Sequence, residues 1–372
     1  MNRQKIIFVA SDASYPSVLR SVGVRSHQAK LLSNLRMGIA KLTVHQISQL
    51  QNQRCISCVV RDRRVHALVD KAGTTVGSRI INKTGLTGSG VTVAIVDTGI
   101  ACHPDLTGRI VAFKDLVQRR SRPYDNNGHG THVAGIVAGS GRLSQFRYAG
   151  IAPQAKLVGV KVLDRNGSGM LSTVLMGLEW CLANKDKYNI KVVNMSLGAP
   201  AVTPHATDPM CHAAQKLSEA GILIIAAAGN SGPAEKSIES PGCCGATVAV
   251  GAANDRNTLT PEACTIASFS SRGPTLDNTM KPDICAPGVN IVATRARRLY
   301  VQKLQRIHLY SYTRMSGTSM AAPIVSGVAA LLLQGDPSLT TEQLKQKLLA
   351  GTIKLSSPVT AQGQGLVQIS PV

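Results

Sequence analysis

Aromatic side chains are scarce in this chain of 372 residues, where they make up 3% of the total. Without large rings, the core has to be built from Ala, Val, Ile and Leu together with 34 glycines, which suits close packing of helices on a sheet. Charged residues are also few, at 16%, whereas apolar residues reach 44%. This balance excludes a disordered chain and is typical of a globular α/β protein with a large core.

Long hydrophobic runs are missing as well. The apolar run at residues 6–10 is too short for the core of a signal peptide, and Asp12 follows it closely. No stretch approaches the ~20 apolar residues of a membrane-spanning helix. The sequence therefore predicts neither an export signal nor a membrane segment, and we expect a cytoplasmic protein.

Acidic residues number 20 against 41 Lys and Arg, so the formal net charge is +21. Residues 1–83 hold 14 of these cations against three acids, and a second basic run lies within residues 294–314. Such charge suits binding to nucleic acid or to another anionic surface. Because no nucleic-acid-binding motif accompanies it, we favour a role in solubility or a basic N-terminal segment lying against a less basic body.

The nine cysteines are odd in number and irregular in spacing. In a chain without an export signal, free thiols are the expectation. Cys55 and Cys58 form a Cys-x-x-Cys pair, which is half of a redox or metal site, but no second pair or nearby His supports that interpretation. Cys243 and Cys244 are adjacent and are interpreted as loop or packing residues.

Three parts follow one another along the chain. Residues 1–80 are basic, with a helical pattern around 26–52, a strand at 55–61 and the start of a Gly- and Ser-rich linker at 76–90. Residues 81–355 alternate strand and helix patterns, and residues 356–372 are a tail. The alternation predicts an α/β fold with a mainly parallel central sheet flanked by helices on both faces, preceded by a small α+β N-terminal domain.

In sheets of this kind, active groups gather beyond the carboxyl ends of the strands. Asp97 follows directly on the apolar, β-branched run 91–96, in the tripeptide Asp-Thr-Gly. Such an Asp is a turn cap or a functional carboxylate. Aspartic proteases share the tripeptide, but a single-chain aspartic protease needs two copies and this chain has one.

His129 lies between two glycines at the start of a predicted helix, a poor position for a core residue. His132 is three residues further on, so a metal-binding pair is one interpretation. The zinc-protease pattern His-Glu-x-x-His is absent, and no third ligand suggests itself. We therefore favour a general base at His129 and predict no catalytic metal.

Ser319 opens an apolar helix at 321–333, where a serine is usually an N-cap. Small neighbours leave its hydroxyl reachable, and the helix N-terminus offers N–H donors and a positive dipole to a developing oxyanion. Asn230 ends the apolar run 222–228. It is either a turn residue or an amide that donates to such an oxyanion.

These four segments, in the order Asp, His, Asn, Ser, resemble the signatures of the subtilisin-like serine proteases (subtilases, peptidase family S8) over roughly residues 85–350. The details look most like the AprX-type intracellular branch. The resemblance implies a serine endopeptidase that cleaves proteins or peptides through an acyl-enzyme. The roles that it implies are a catalytic triad of Asp97, His129 and Ser319, an oxyanion hole at Asn230, and substrate-backbone contacts at Ser196, Leu197 and Gly198.

Residues 1–80 weakly resemble a subtilase prosegment, which implies an intramolecular inhibitor of the cleft. The resemblance implies no cofactor for the chemistry and a substrate pocket for apolar or varied side chains. Calcium sites are common in the family, and Asp125, Asn126 and Asn127 offer oxygen ligands near the site. The rival functions are a non-catalytic relative that binds peptides and a nucleic-acid-binding protein.

Overall fold

The computed structural model describes residues 3–11, 15–24, 28–62, 64–67, 82, 84–256, 260–296 and 311–369, with only the backbone at residues 15 and 64–67. Much of the predicted linker and most of the basic run 294–314 lie outside these residues. The strands, in chain order, are β1 (Gln4–Ala10), β2 (Ala29–Leu32), β3 (Met37–Leu42), β4 (Ile56–Arg61), β5 (Arg64–Ala67), β6 (Thr92–Asp97), β7 (Ile110–Asp115), β8 (Lys156–Lys161), β9 (Ser168–Met170), β10 (Ile190–Met195), β11 (Leu197–Pro200), β12 (Leu223–Ala227), β13 (Glu239–Ser240), β14 (Thr247–Asn254), β15 (Thr265–Ile266), β16 (Ile284–Pro287), β17 (Ile291–Thr294), β18 (Tyr312–Met315), β19 (Thr352–Ile353) and β20 (Leu366–Val367).

Helices occupy both units of the molecule, and short 3-10 turns join some of the elements. The α-helices, in chain order, are α1 (Tyr15–Ser21), α2 (Val44–Gln51), α3 (His129–Ala138), α4 (Leu171–Ala183), α5 (Lys185–Tyr188), α6 (Pro209–Glu219), α7 (Thr318–Gly335), α8 (Thr341–Ala350) and α9 (Val359–Gln362).

The N-terminal unit is a four-stranded antiparallel sheet in the order β2-β3-β1-β4. Our prediction of a helix around residues 26–52 is wrong for 29–32 and 37–42, which form β2 and β3 on either side of a short 3-10 turn. Ala and Leu favour helix locally, but β3 pairs with a strand on each side, and this pairing outweighs the helix propensity. The helix is confined to α2, where Thr43 and Gln46 form a reciprocal capping box.

The central sheet runs in the order β19-β20-β16-β14-β12-β10-β6-β8-β7, with β15 beside β14. From β20 to β7 every neighbouring pair is parallel, so the predicted α/β class is confirmed. Residues 356–369, predicted as a tail, include β20, which pairs with β16. The sheet therefore extends beyond the predicted boundary at residue 355.

Apolar helices cover both faces of this sheet. Val93 and Ile95 of β6 face one core with α3, α7 and α8, whereas Ala94 and Val96 face a second core with α4 and α6. This explains why β6 is a continuous apolar run rather than an alternating one. Helix α7 is long and apolar enough to cross a membrane, but 83% of it is buried inside the protein, as expected for a core helix.

A second, four-stranded sheet lies beside the carboxyl edge of the central sheet, in the order β13-β11-β5-β9. Its member β5 comes from the N-terminal part of the chain and pairs antiparallel with both β11 and β9. A disulfide joins Cys211 on α6 to Cys244, with their Cα atoms 5.0 Å apart. The expectation of free thiols is therefore wrong for these two residues, because the fold brings them within bonding range.

Candidate active site

Three neighbouring parallel strands, β6, β10 and β12, end at one edge of the central sheet. Asp97 is the last residue of β6, Ser196 follows β10, and Asn230 comes three residues after β12. Asn194 of β10 pairs with Ile95 of β6, so Ser196 continues the chain at the level of Asp97. The fold thus gathers three of the predicted site segments at one edge.

Asp97 and His129 form a buried pair, and both side chains are 0% exposed. The Nδ1 atom of His129 lies 2.8 Å from Oδ1 and 2.9 Å from Oδ2 of Asp97. The backbone N–H of Thr98 also donates to Oδ1, at 2.6 Å. Gly130 allows this approach, because a Cβ there would lie 2.2 Å from the carbonyl oxygen of Gly99. The carboxylate fixes the ring orientation and favours a proton on Nδ1, which leaves Nε2 as the basic nitrogen.

The loop before His129 is stabilised by Asp125. Its carboxylate accepts hydrogen bonds from the end of β6 and from the start of α3. Its Oδ1 accepts from Thr98 Oγ1 at 3.0 Å and from the backbone N–H of Gly128 at 2.8 Å. Its Oδ2 accepts from the backbone N–H and the hydroxyl of Thr131 in α3. Asp125 therefore ties the end of β6 to the start of the helix that carries His129.

Lys161 at the end of β8 is buried among oxygen atoms of the same loop. Its Nζ donates to the Oδ1 of Asn126 at 2.9 Å and to the carbonyls of Leu163 and Thr98. Burial lowers the pKa of this ammonium group, and the nearby carboxylates of Asp125 and Asp115 counter that shift. The ammonium group occupies the place that a cation would take among these oxygens.

The predicted calcium ligands do not fit a calcium site in this arrangement. The oxygens of Asp125 and Asn126 accept from protein donors, and Asn127 Oδ1 accepts from the backbone N–H of His129 at 3.1 Å. Calcium requires several oxygens that converge on one unfilled point. Here, the ammonium of Lys161 and backbone N–H groups take those oxygens.

Ser319 lies in the first turn of α7, after Gly317, whose φ of 150° disfavours any side chain. Its Oγ donates to the carbonyl of Ser196 at 3.1 Å. Its own carbonyl accepts from Ser196 Oγ at 2.8 Å. That carbonyl is open to an outside donor because Pro323, four residues on, has no N–H to give. Two reciprocal bonds therefore hold the segment around Ser319 against the end of β10.

The side chain of Ser196 is positioned by a chain of two further hydrogen bonds. Asn194 Nδ2 donates to Ser196 Oγ at 2.9 Å, and Ser326 Oγ in α7 donates to Asn194 Oδ1 at 2.9 Å. All three side chains are buried. Neither Asn194, in the motif Asn-Met-Ser-Leu-Gly, nor Ser326 was predicted from the sequence to have this role.

Asn230 presents a buried donor that has no acceptor among the described residues. Its Oδ1 accepts from the backbone N–H of Thr318 at 2.9 Å and from Thr318 Oγ1 at 3.0 Å. Its Nδ2 is buried and unpaired. Because buried amide N–H groups nearly always have a partner, this one indicates a place for an incoming acceptor. Thr318, also missed from the sequence, sets the direction of that amide.

His132 does not join His129 in a metal site. Its ring is fully buried and its Nε2 lies 3.0 Å from the carbonyl of Ile291 and 3.2 Å from that of Thr313. Burial and the neighbouring His129 lower its pKa to about 3, so the ring is neutral. His132 thus links α3 to β17 and β18, which pair antiparallel.

Two of the predicted substrate-contact residues pair with an extended strand from the N-terminal part of the chain. Leu197 and Gly198 of β11 pair with Ala67 and His66 of β5, antiparallel. On its other side, β5 pairs with β9 through residues 64–66. The extended backbone of β5 thus lies between β11 and β9. Ser196, just before β11, binds the segment that carries Ser319.

Comparison with known proteins assigns the family. The family model described as Subtilase family (Peptidase S8) matches residues 88–366. The chain is 48% identical over 305 residues to the serine protease AprX of Bacillus subtilis (strain 168), which covers 80% of this chain and 69% of that protein. It is 40% identical over 283 residues to subtilisin Savinase of Lederbergia lenta, covering 76% of this chain and 90% of the relative. A thermostable alkaline protease of Halalkalibacterium halodurans is 36% identical over 330 residues, covering 88% and 80%. The chain belongs to the subtilase family and is a serine-type endopeptidase.

Proposed function

We propose that this endopeptidase uses Ser319 as nucleophile, His129 as general base, Asp97 as the orienting carboxylate and Asn230 as an oxyanion donor. The observation that carries the proposal is the fully buried contact between His129 Nδ1 and the Asp97 carboxylate, at the sheet edge where Ser196 holds the Ser319 segment. A buried imidazole with one nitrogen fixed by a carboxylate is suited to accept a proton on the other.

In the mechanism that we infer, the Ser319 hydroxyl leaves the carbonyl of Ser196 by rotating about its side chain. His129 Nε2 takes its proton as Oγ attacks the substrate carbonyl, and Asp97 stabilises the imidazolium. The imidazolium then protonates the leaving amine. Water hydrolyses the acyl-enzyme with the same base, and the free enzyme is restored.

The unpaired Nδ2 of Asn230 and the backbone N–H of Ser319 would hold the oxyanion. Both groups lie at the N-terminus of α7, which Thr318 links to Asn230. Fixed donors of this kind need no reorganisation when charge develops, and losing one costs about 3–4 kcal/mol of barrier.

We also infer that residues 1–80 inhibit the catalytic domain, which begins near residue 81. The support is the position of β5 between β11 and β9, where it pairs antiparallel with both strands as an extended substrate would. The N-terminal sheet adds contacts on the helices beside the cleft. Asp62 accepts from the backbone N–H of Ser172 at 2.7 Å, at the start of α4.

The test is a fluorogenic peptide assay on purified full-length chain, with Ser319→Ala beside it. We expect hydrolysis that a serine-directed phosphonate abolishes and that Ser319→Ala lacks. The matched control is Ser338→Ala, an exposed serine outside α7. Mass spectrometry of the same samples should find N-terminal cleavage in the wild type and not in Ser319→Ala; identical processing of both would reject self-cleavage.

The cytoplasmic location stays a prediction. The Cys211–Cys244 disulfide weighs against it, because such bonds persist mainly in oxidising compartments.

A further inference from the structure

A cavity of about 680 Å³ opens at the amino edge of the central sheet, opposite the edge that holds Asp97. Its walls include Arg109, which directly precedes β7, Gln154, which lies just before β8, and residues of the loop 140–149 that follows α3. Helix α3 starts at His129 and has 10 residues, so about 15 Å of helix separates this loop from His129. The cavity is therefore distinct from the catalytic edge, and its volume is typical of a small-molecule site.

Two buried polar atoms belong to residues of these walls and have no hydrogen-bond partner among the described residues. One is the donor Nε of Arg109, and the other is the acceptor Oδ1 of Asn82. Buried polar atoms nearly always have a partner, and these two do not pair with each other. A ligand that offers an acceptor to Arg109 and a donor to Asn82 would satisfy both atoms.

The charge around the cavity is positive. Arg142 also lines it, and neither Arg109 nor Arg142 makes an ion pair with a described residue. No Asp or Glu lies among the described residues of the walls. Asp105, which contacts the loop, accepts instead from Ser140 Oγ and from the backbone N–H of Leu143, both at 3.1 Å. The cavity therefore favours an anion, and guanidinium groups match the geometry of phosphate or carboxylate oxygens.

An aromatic ring lines the cavity with little protein over it. Phe146 is 66% exposed, and its φ of 66° is a left-handed conformation that bulky residues rarely adopt. The turn is fixed because the carbonyl of Gly141 accepts from the backbone N–H groups of Ser144 at 2.9 Å and Phe146 at 2.8 Å. The loop therefore presents a phenyl ring on which a flat ligand is able to stack.

We infer that this cavity binds a small organic anion in which a phosphate group is joined to a planar ring with N–H donors, as in a purine nucleotide. The phosphate would accept from Arg109 and Arg142, the ring would stack on Phe146, and a ring N–H group would donate to Asn82 Oδ1. The size of the cavity favours one such molecule over an extended polymer. This second site does not depend on the proposed catalytic residues.

The test is isothermal titration calorimetry of the full-length chain with AMP at physiological salt, where long-range attraction to the net charge of +21 is screened. The chain carries Ser319→Ala so that proteolysis does not alter the sample. We expect saturable one-to-one binding with a Kd below about 1 mM. Adenosine and inorganic phosphate each supply only part of the ligand, so each should bind at least about tenfold more weakly.

Two variants assign the binding to this cavity. Arg142 is exposed, so Arg142→Gln should fold normally and should raise the Kd for AMP about tenfold because one charge-assisted hydrogen bond is lost. Phe146→Ala should raise it about three- to tenfold because the stacking surface is lost. The matched control is Arg256→Gln, an exposed arginine after β14, which should leave the Kd unchanged.

Three results would overturn the inference. The first is the absence of saturable AMP binding up to about 1 mM, which needs no further variant. The second is phosphate that binds as tightly as AMP, since the ring would then contribute nothing and the site would hold an anion only. The third is an equal loss of binding in Arg256→Gln and Arg142→Gln, which would show general attraction to a positive surface.

Discussion

The two sheet-bearing units of this protein put their polar groups to different uses. In the catalytic unit, parallel strands carry polar residues at their carboxyl ends, and Asp97, Ser196 and Asn230 meet at one edge. In the N-terminal unit, antiparallel strands send their ends both ways, so no comparable edge exists in β1–β4. Strand direction thus decides where an active site is able to form.

The units also differ in how their cores close. Ile6 and Phe8 of β1 belong to a core of the N-terminal unit itself. Ile7 and Val9, which point the other way, pack into the core that contains α4 and α6. One face of the N-terminal sheet is therefore completed by the catalytic unit, and the two units share a core there. The predictions below test that division between chemistry and docking.

The largest effect should come from Asp97→Asn. The amide leaves the shape of the site intact but favours the wrong tautomer of His129, so kcat should fall about 10⁴-fold. Peptide hydrolysis measures this, and Asp186→Asn, an exposed acid in α5, is the control. A loss of less than tenfold would remove Asp97 from the proposed triad.

Asn230→Ala should lower kcat about 10²- to 10³-fold because the oxyanion loses one fixed donor. KM should change little, since the donor acts on charge that develops only in the transition state. Steady-state kinetics on one peptide separate the two parameters. A rise in KM with unchanged kcat would mean that Asn230 binds ground-state substrate instead.

Substitution of Glu179 on α4 should weaken the docking of the N-terminal unit onto the catalytic unit. We expect this effect to be far smaller than those of the Asp97 and Asn230 substitutions. The Glu179 carboxylate accepts from the backbone N–H and side-chain amide of Asn34 and from the backbone N–H of Leu35. In a Ser319→Ala background, Glu179→Ala should lower the opening free energy of β3 amides by about 1–3 kcal/mol. Hydrogen exchange measures it, and Glu342→Ala on α8 is the control. Equal protection in both variants would show that these bonds contribute nothing to docking.

The smallest effect concerns pH and His212 on α6, whose Nε2 lies 2.8 Å from the carbonyl of Leu35. Burial lowers the pKa of His212 from 6.5, and Lys216 and Arg36 act in the same direction, while Glu219 and the Leu35 bond oppose them. The docked state therefore binds fewer protons than the undocked state. Docking should be intact above about pH 6.5 and should weaken, by less than about tenfold, as pH falls through that value.

Hydrogen exchange of the β3 amides at pH 7 and pH 5 measures this dependence. His212→Gln keeps a donor for Leu35 but does not titrate, so its docking should lose that part of the pH dependence. An unchanged difference between the two pH values would assign it to other groups.

The sequence predicts most of the catalytic unit because its local signals agree with its tertiary structure. The apolar run before Asp97 is a buried strand, and the small-residue helix after His129 is α3. The prediction from sequence fails at residues 29–42, where pairing with other strands of the N-terminal sheet overrides the local preference for helix. It also misses Lys161, Thr318 and Asn194. Their roles arise from contacts between segments up to 132 residues apart, as for Asn194 and Ser326, which spacing along the chain does not encode.

The buried ammonium group of Lys161 affects how the enzyme should behave when metal ions are removed. The loop before His129 is stabilised by the positive charge of Lys161, which is a side chain and not a bound ion. A chelating agent extracts a bound ion but leaves a side chain where it is. The support that Lys161 gives to the His129 loop should therefore persist in a metal-stripped buffer and should fail when the ammonium group is neutralised at high pH.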